Sequence, residues 1–236
     1  MRFISENCSG CGNCLFICPV RAIKYQGNQA VVDWDQCVEC HNCVRAGVCS
    51  NEAFEVSSPA WPRTLRATFS DPFFKHELTQ HLGRGTEEVK TNDVTNIIGV
   101  GQAGLAVEAG RPGVGANFHD VEIITKTLAR FAVEYPAKTP IRSLIKDPRS
   151  GTLDPEILDE RVLSIIVECR LPVNRLDAVL EALLGATKQV ETTVFSVGVF
   201  ARAGELAGNL SSAHGYQVSM VGKNNLGLGR RYEGAS

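Results

Sequence analysis

No apolar run in the 236-residue chain approaches the roughly 20 residues of a membrane span, so a soluble, cytoplasmic protein is expected. A basic run is also missing, as is any interleaving of aromatic with basic side chains, which argues against nucleic acid as a partner. The first residues, Met1-Arg2-Phe3-Ile4-Ser5-Glu6, lack the apolar segment of a secretory leader. Without an oxidising compartment, a disulfide framework is disfavoured. Signatures for flavin, haem, corrinoid and phosphate-loop binding are absent, so no substrate-transforming site is visible. Formal net charge is only −2, but its distribution is uneven. Residues 1–57 hold four basic side chains (Arg2, Arg21, Lys24, Arg45) against six acidic ones (Glu6, Asp33, Asp35, Glu39, Glu52, Glu55), and the rest of the chain holds 20 of each. The remaining proportions, 44% hydrophobic and 21% charged, leave room for one large domain or a small one beside a medium one.

Cysteine is what the chain has in excess. Eight of its nine cysteines lie between positions 8 and 49. The first four read Cys8-x-x-Cys11-x-x-Cys14-x-x-x-Cys18-Pro19, and the second quartet is Cys37, Cys40, Cys43 and Cys49. A thiolate-bound 4Fe-4S cluster takes three ligands from one tight loop and a fourth from elsewhere. The C-x-x-C-x-x-C run supplies the three, and the distant Cys-Pro serves the other cluster. This predicts two 4Fe-4S clusters, one on Cys8, Cys11, Cys14 and Cys49, the other on Cys37, Cys40, Cys43 and Cys18. Zinc would instead want two C-x-x-C pairs for each tetrahedral site.

Over residues 1–57 the chain resembles the bacterial two-4Fe-4S ferredoxin family, through Cys18-Pro19-Val20-Arg21-Ala22-Ile23 after the first run and Cys49-Ser50-Asn51-Glu52-Ala53-Phe54 after the second. It departs where five residues separate Cys43 from Cys49 and where Ser50 stands in place of proline, so looser geometry is expected around the first cluster. Each oxidised cluster adds about two negative charges to an already acidic segment. Such a surface steers toward a basic patch on a redox partner protein.

An α+β chain is expected: a ferredoxin domain over 1–57, a connector with a short helix over 58–95, and an α/β-plait-like domain over 96–236. The boundary is Ser57-Ser58-Pro59-Ala60-Trp61-Pro62. Ala30–Asp33 reads as a strand, and a helical turn should follow each triplet. Asp71 reads as the N-cap of a connector helix with Pro72 at its first position, Gly83 at its stop, and Phe74, Leu78 and Leu82 on one face. Val121, Ile124, Leu128, Phe131 and Tyr135 recur at helical spacing after an Asn117–Asp120 cap, predicting a helix over 118–134. Residues 162–171 alternate as a half-buried strand, with Leu163, Ile165, Val167, Cys169 and Leu171 on the inner face. A helix over 173–184, a strand carrying Phe195, Val197 and Val199, a short helix near 205–212 and a strand at 216–220 complete the pattern. This order resembles the βαββαβ plait of ACT-type regulatory domains, with one further strand expected near Gly104–Ala109. Both helices should lie on one face of an antiparallel-rich sheet.

Outside the clusters the candidates are few. Gly99-Val100-Gly101-Gln102-Ala103-Gly104 spells a dinucleotide fingerprint but is soon broken by Gly110-Arg111-Pro112-Gly113, so a glycine-containing strand is the reading. Arg111, Gly113, Gly115 and Asn117 run into a helix N-terminus, and Lys223, Asn225 and Arg230 lie in a glycine–basic tail; the two could meet on a small anionic ligand. Cys169 reads as a core thiol, His76 and His81 as ordinary residues, and His41 as a group beside the second triplet's sulfurs. Lys90–Asp93 is polar and without a role. The function expected is electron transfer through two clusters to a partner redox enzyme, the carboxyl part docking that partner or binding a small anion. The alternatives are an anaerobic iron–sulfur reductase whose carboxyl domain holds substrate or a borrowed cofactor, and a redox- or amino-acid-responsive regulator. A homo-oligomer is left open.

Overall fold

The computed structural model describes residues 1–77, 80, 82, 98–110, 115–137, 139–191 and 195–201. Strands β1 (Arg2–Phe3) and β4 (Phe54–Glu55) pair antiparallel and bring the two ends of the cysteine-rich part together, Phe3 lying 5.0 Å from Phe54 between ring centres. Between them, β2 (Ile23–Gln26) and β3 (Gln29–Val32) form a hairpin in the register Ile23↔Val32, and α1 (Asn42–Arg45) is a single turn that begins inside the second triplet and contains Cys43. Ile23, Ala30, Ala53 and Phe54 join Cys14, Cys37 and Cys43 in a small core of their own.

Helix α2 (Thr64–Ser70) follows Pro62 and begins eight residues before the helix that the sequence pattern suggested. Asp71 is its C-cap and not an N-cap. Pro72 disfavours helical geometry in the residue before it, and Asp71 adopts extended backbone. Its carboxylate is spent on His41, Arg45 and the Phe73 N–H. Leu65 and Phe69 of α2 are buried in the second, larger core, where Phe69 meets Phe118 at 6.0 Å.

That core lies under a three-stranded antiparallel sheet in the order β10–β5–β11, with β5 (Gln102–Ala109) in the centre, β10 at Ile165–Pro172 and β11 at Phe195–Ala201. Cross-strand rows fix the register: Val167↔Val107↔Val197 and Cys169↔Leu105↔Val199. Strand β5 occupies the segment read as a glycine-containing strand, and no helix begins at the fingerprint glycines. Helix α4 (Leu176–Ala186), entered through a 3₁₀ turn at Val173–Arg175, connects β10 to β11 with β5 between them, a split βαβ unit.

Helix α3 (Phe118–Ala129) is capped by Asn117, whose side chain accepts the Asp120 N–H at 2.7 Å. It ends five residues before the expected 134. Ala132 takes a positive φ of 52°, yet Phe131 and Tyr135 still pack on the core from the turn beyond. Val121, Ile124 and Leu128 of α3 and Leu176, Val179 and Leu183 of α4 share one core with the inner face of the sheet. The opposite face is also shielded, Ile166 and Glu168 being buried, so β10 is not the half-buried strand that its alternation predicts.

Two short pairs complete the unit. Strand β6 (Ala116–Asn117) pairs with β9 (Arg161–Val162), and β7 (Ile145–Asp147) pairs with β8 (Thr152–Leu153) against α3. The β7–β8 turn approaches α3 so closely that a Cβ on Gly151 would stand 2.2 Å from the Thr125 carbonyl oxygen. The helix and strand expected at 205–212 and 216–220 lie outside the described residues.

Two measurements check this architecture. Phe69→Ala should cost roughly 3–5 kcal/mol by urea denaturation, the range for emptying a buried aromatic site. Cys169 is fully buried, and burial pushes its thiol far above the ordinary range, so it stays neutral and inaccessible. Mass spectrometry should find it unalkylated by iodoacetamide in the folded protein and alkylated after denaturation.

Candidate functional site

Each triplet bends back on itself through two residues of positive φ that flank its middle cysteine. In the first loop these are Gly10 and Gly12 (φ 72° and 82°); in the second they are Glu39 and His41 (both 56°). Glycine is required in the first loop on two counts, since a Cβ at Gly10 would also fall 2.0 Å from the Asn28 carbonyl oxygen. In the second loop, two ordinary side chains hold a backbone that costs on the order of 1 kcal/mol or more each. Both are buried and bonded. Glu39 accepts from Arg63 Nε at 2.7 Å and from the Met1 ammonium, and His41 Nδ1 bonds Asp71 Oδ2 at 2.7 Å.

The eight cysteines divide between two cavities. Cys18, Cys37, Cys40 and Cys43 line one, walled otherwise by His41 and by apolar groups such as Val20, Ile23, Val32 and Val38. Cys8, Cys11, Cys14 and Cys49 line a second, with Phe3, Ala30 and Phe54. Each cavity thus takes three cysteines from one run and one from the other. The sulfurs ring these spaces instead of converging on a point. Among the described residues no three His, Cys, Asp or Glu side chains form a group suited to one metal ion. A soft, all-sulfur donor set spread around each space fits a polynuclear iron–sulfur group better than a single ion.

Backbone amides point at the sulfurs. Ala22 N donates to Cys18 Sγ at 3.1 Å, Ala53 N to Cys49 Sγ at 3.3 Å, and Ala30 N to Cys8 Sγ at 3.4 Å. The turns after Cys18 and Cys49 are alike. Arg21 and Glu52 share a φ near 54° (54° and 53°), and each donates its N–H to the cysteine carbonyl at 3.2 Å. The Cys49 turn is therefore not loosened by Ser50. The longer spacing is absorbed by α1, which closes at Gly47 in left-handed geometry. Burial pushes the thiols of Cys14, Cys37, Cys40 and Cys43 up, the last to about 12, because it disfavours their charged form.

The two cavities differ in their surroundings. The first is the inner one. Arg66 Nη1 donates to the carbonyls of Trp34 (2.9 Å), Asp35 (3.1 Å) and Cys37 (2.7 Å), while its Nε meets Glu160. Arg45 bonds the Cys40 carbonyl and Asp71, and Arg63 stacks on Trp34 at 5.4 Å. The second cavity faces outward. Cys11 is exposed, Tyr25 donates to the Gly10 carbonyl, and Phe16, two residues beyond Cys14 in the chain, is 92% exposed. The sequence reading missed Arg63, Arg66 and Asp71. Their one local signal was a pair of arginines three apart just after Pro62, which places both on one face of a helix.

The other candidates fare differently. Asn117 is taken up by the cap of α3, and Gly115 lies beside Val162 with a φ of 90°. Arg111, Gly113, Lys223, Asn225 and Arg230 lie outside the described residues, as do His81 and Lys90–Asp93. His76 is buried beside Phe69. His41 lines the inner cavity.

A family model described as the 4Fe-4S dicluster domain matches residues 1–49. The chain is 34% identical over 50 residues to the "Ferredoxin-like protein in nif region" of Sinorhizobium fredii, an alignment covering 21% of this chain and 78% of that protein. No solved structure matches the chain. By its amino-terminal segment, then, this chain belongs to the ferredoxin-like 4Fe-4S dicluster family and is an iron–sulfur protein.

Proposed function

We propose that the chain carries two 4Fe-4S clusters, one held by Cys8, Cys11, Cys14 and Cys49 and one by Cys18, Cys37, Cys40 and Cys43, and serves as a cytoplasmic electron-transfer protein or subunit. The observation that carries this reading is the partition of eight cysteines between two cavities, each lined by three from one run and one from the other. When bound, such groups supply reversible one-electron transfer. The chain's own residues do the rest. The amides of Ala22, Ala30 and Ala53 favour charged sulfur by donating to it, and the valine and isoleucine walls make the lining of the inner cavity apolar. Glu39 and His41, bonded to Arg63 and Asp71, hold the second loop in its left-handed turns.

The redox partner meets the outward cavity in this reading, where an exposed cysteine and Phe16 lie on a segment with an acidic excess. A partner with a basic rim and an apolar depression is the complement of that face. The split βαβ unit supports an ACT-like plait, and the use of Asn117 as a helix cap favours a docking role for the carboxyl part over ligand holding.

Anaerobically reconstituted protein should contain about eight iron and eight sulfide per chain, and mainly zinc, or about four iron, would defeat the reading. Cys18→Ala should convert or destroy the cluster at Cys37, Cys40 and Cys43 and spare the other; loss at the Cys8 site instead would refute the cross-ligation. Phe16→Ser should keep the iron content and slow electron exchange with a basic acceptor protein several-fold, in a rate that falls with added salt. Stopped-flow kinetics would read both effects.

A further inference from the structure

Burial works against the inner cavity. One-electron reduction adds one negative charge, and walls of valine and isoleucine provide it with little solvation. The outward cavity includes an exposed cysteine and has no such handicap. On burial alone the inner site would be the harder of the two to reduce.

Arg66 opposes this. Its side chain is 7% exposed, so its charge is screened little by solvent. It is aimed through three carbonyl contacts at the Trp34–Cys37 backbone, including the carbonyl of Cys37 itself at 2.7 Å. Arg45 makes the corresponding contact to the Cys40 carbonyl. Among the described residues no cationic side chain donates to the backbone of residues 8–14. Glu160 is the counter-ion, bonded to Nε, the guanidinium nitrogen that does not face those carbonyls. We infer that Arg66 is a positioning residue that sets the reduction potential of the Cys18, Cys37, Cys40 and Cys43 site, its buried cation offsetting the burial penalty on the added electron. The inference rests on the two-cluster reading above.

A charge effect has a sign, and the sign separates it from a packing effect. Removing the cation by Arg66→Ala should move one reduction step to more negative potential and leave the other in place. Neutralising its counter-ion by Glu160→Gln should move that same step to more positive potential. Arg66→Lys, which keeps the charge and loses the forked contact, should shift it less than alanine does. The measurement is an anaerobic titration of the reconstituted full-length chain with dithionite as electron donor, followed by electron paramagnetic resonance. Glu160→Gln and Arg66→Lys carry the test if the alanine variant fails to fold. Two steps that stay put in both, or that move in the same direction in both, overturn the role of Arg66 and leave the two clusters standing. A wild-type chain with a single step and about four iron overturns the two-cluster reading and the inference with it.

Discussion

A guanidinium group almost without access to water sits where the cysteine-rich segment meets the rest of the chain, and much of the structure follows from satisfying it. Leaving a buried charge without a partner costs several kcal/mol, so Arg66 demands acceptors from both sides at once. The Trp34–Cys37 backbone supplies three carbonyls and Glu160 supplies a carboxylate. Those acceptors are 29 to 94 positions away in sequence and come together only when both cores are formed. Helix α2 is the part that allows this. Leu65 and Phe69 root it in the larger core, Arg63 and Arg66 reach into the smaller one, and Ser70 Oγ accepts the Leu163 N–H at 2.7 Å.

The two cysteine loops solve one backbone problem by different chemistry. The first uses glycine, where a side chain would collide with Asn28 or Tyr25. The second places Glu39 and His41 in the same left-handed geometry and holds them there by Arg63 and Asp71. One loop is permitted its shape; the other is held in it. The pinned loop is also the one that lies against α2.

How much of this was legible in the sequence follows from how local each signal is. The cysteine spacing is wholly local, and it revealed where both loops lie and that the segment is of iron–sulfur type. Helical and alternating periodicity located α3, α4, β10 and β11, because one-sided burial writes a repeat into the chain. Asp71 was misread because its side chain looks like a cap to nearby residues, while its actual partners, His41 and Arg45, lie 30 and 26 positions earlier. The strands of the β7–β8 hairpin are too short to show alternation. Positive φ at Glu39 carries no sequence mark, and at His41 only a faint one, since histidine adopts it more often than most side chains but still rarely. The second buried face of β10 was likewise hidden, because Glu168 reads as solvent-facing.

The seam at α2 also bears on how far the amino-terminal segment is a module. Compositional cues at Ser57–Pro62 suggest a place to cut, and the matched relative is short enough to be little more than this segment. A cut there would strip Trp34, Asp35 and Cys37 of the donor that binds their carbonyls and would leave Glu39 without Arg63. Fixed by α2, the inner cavity instead keeps one distance and one orientation to the sheet behind it, so the segment is built as a part of this chain and not as a unit on a slack tether.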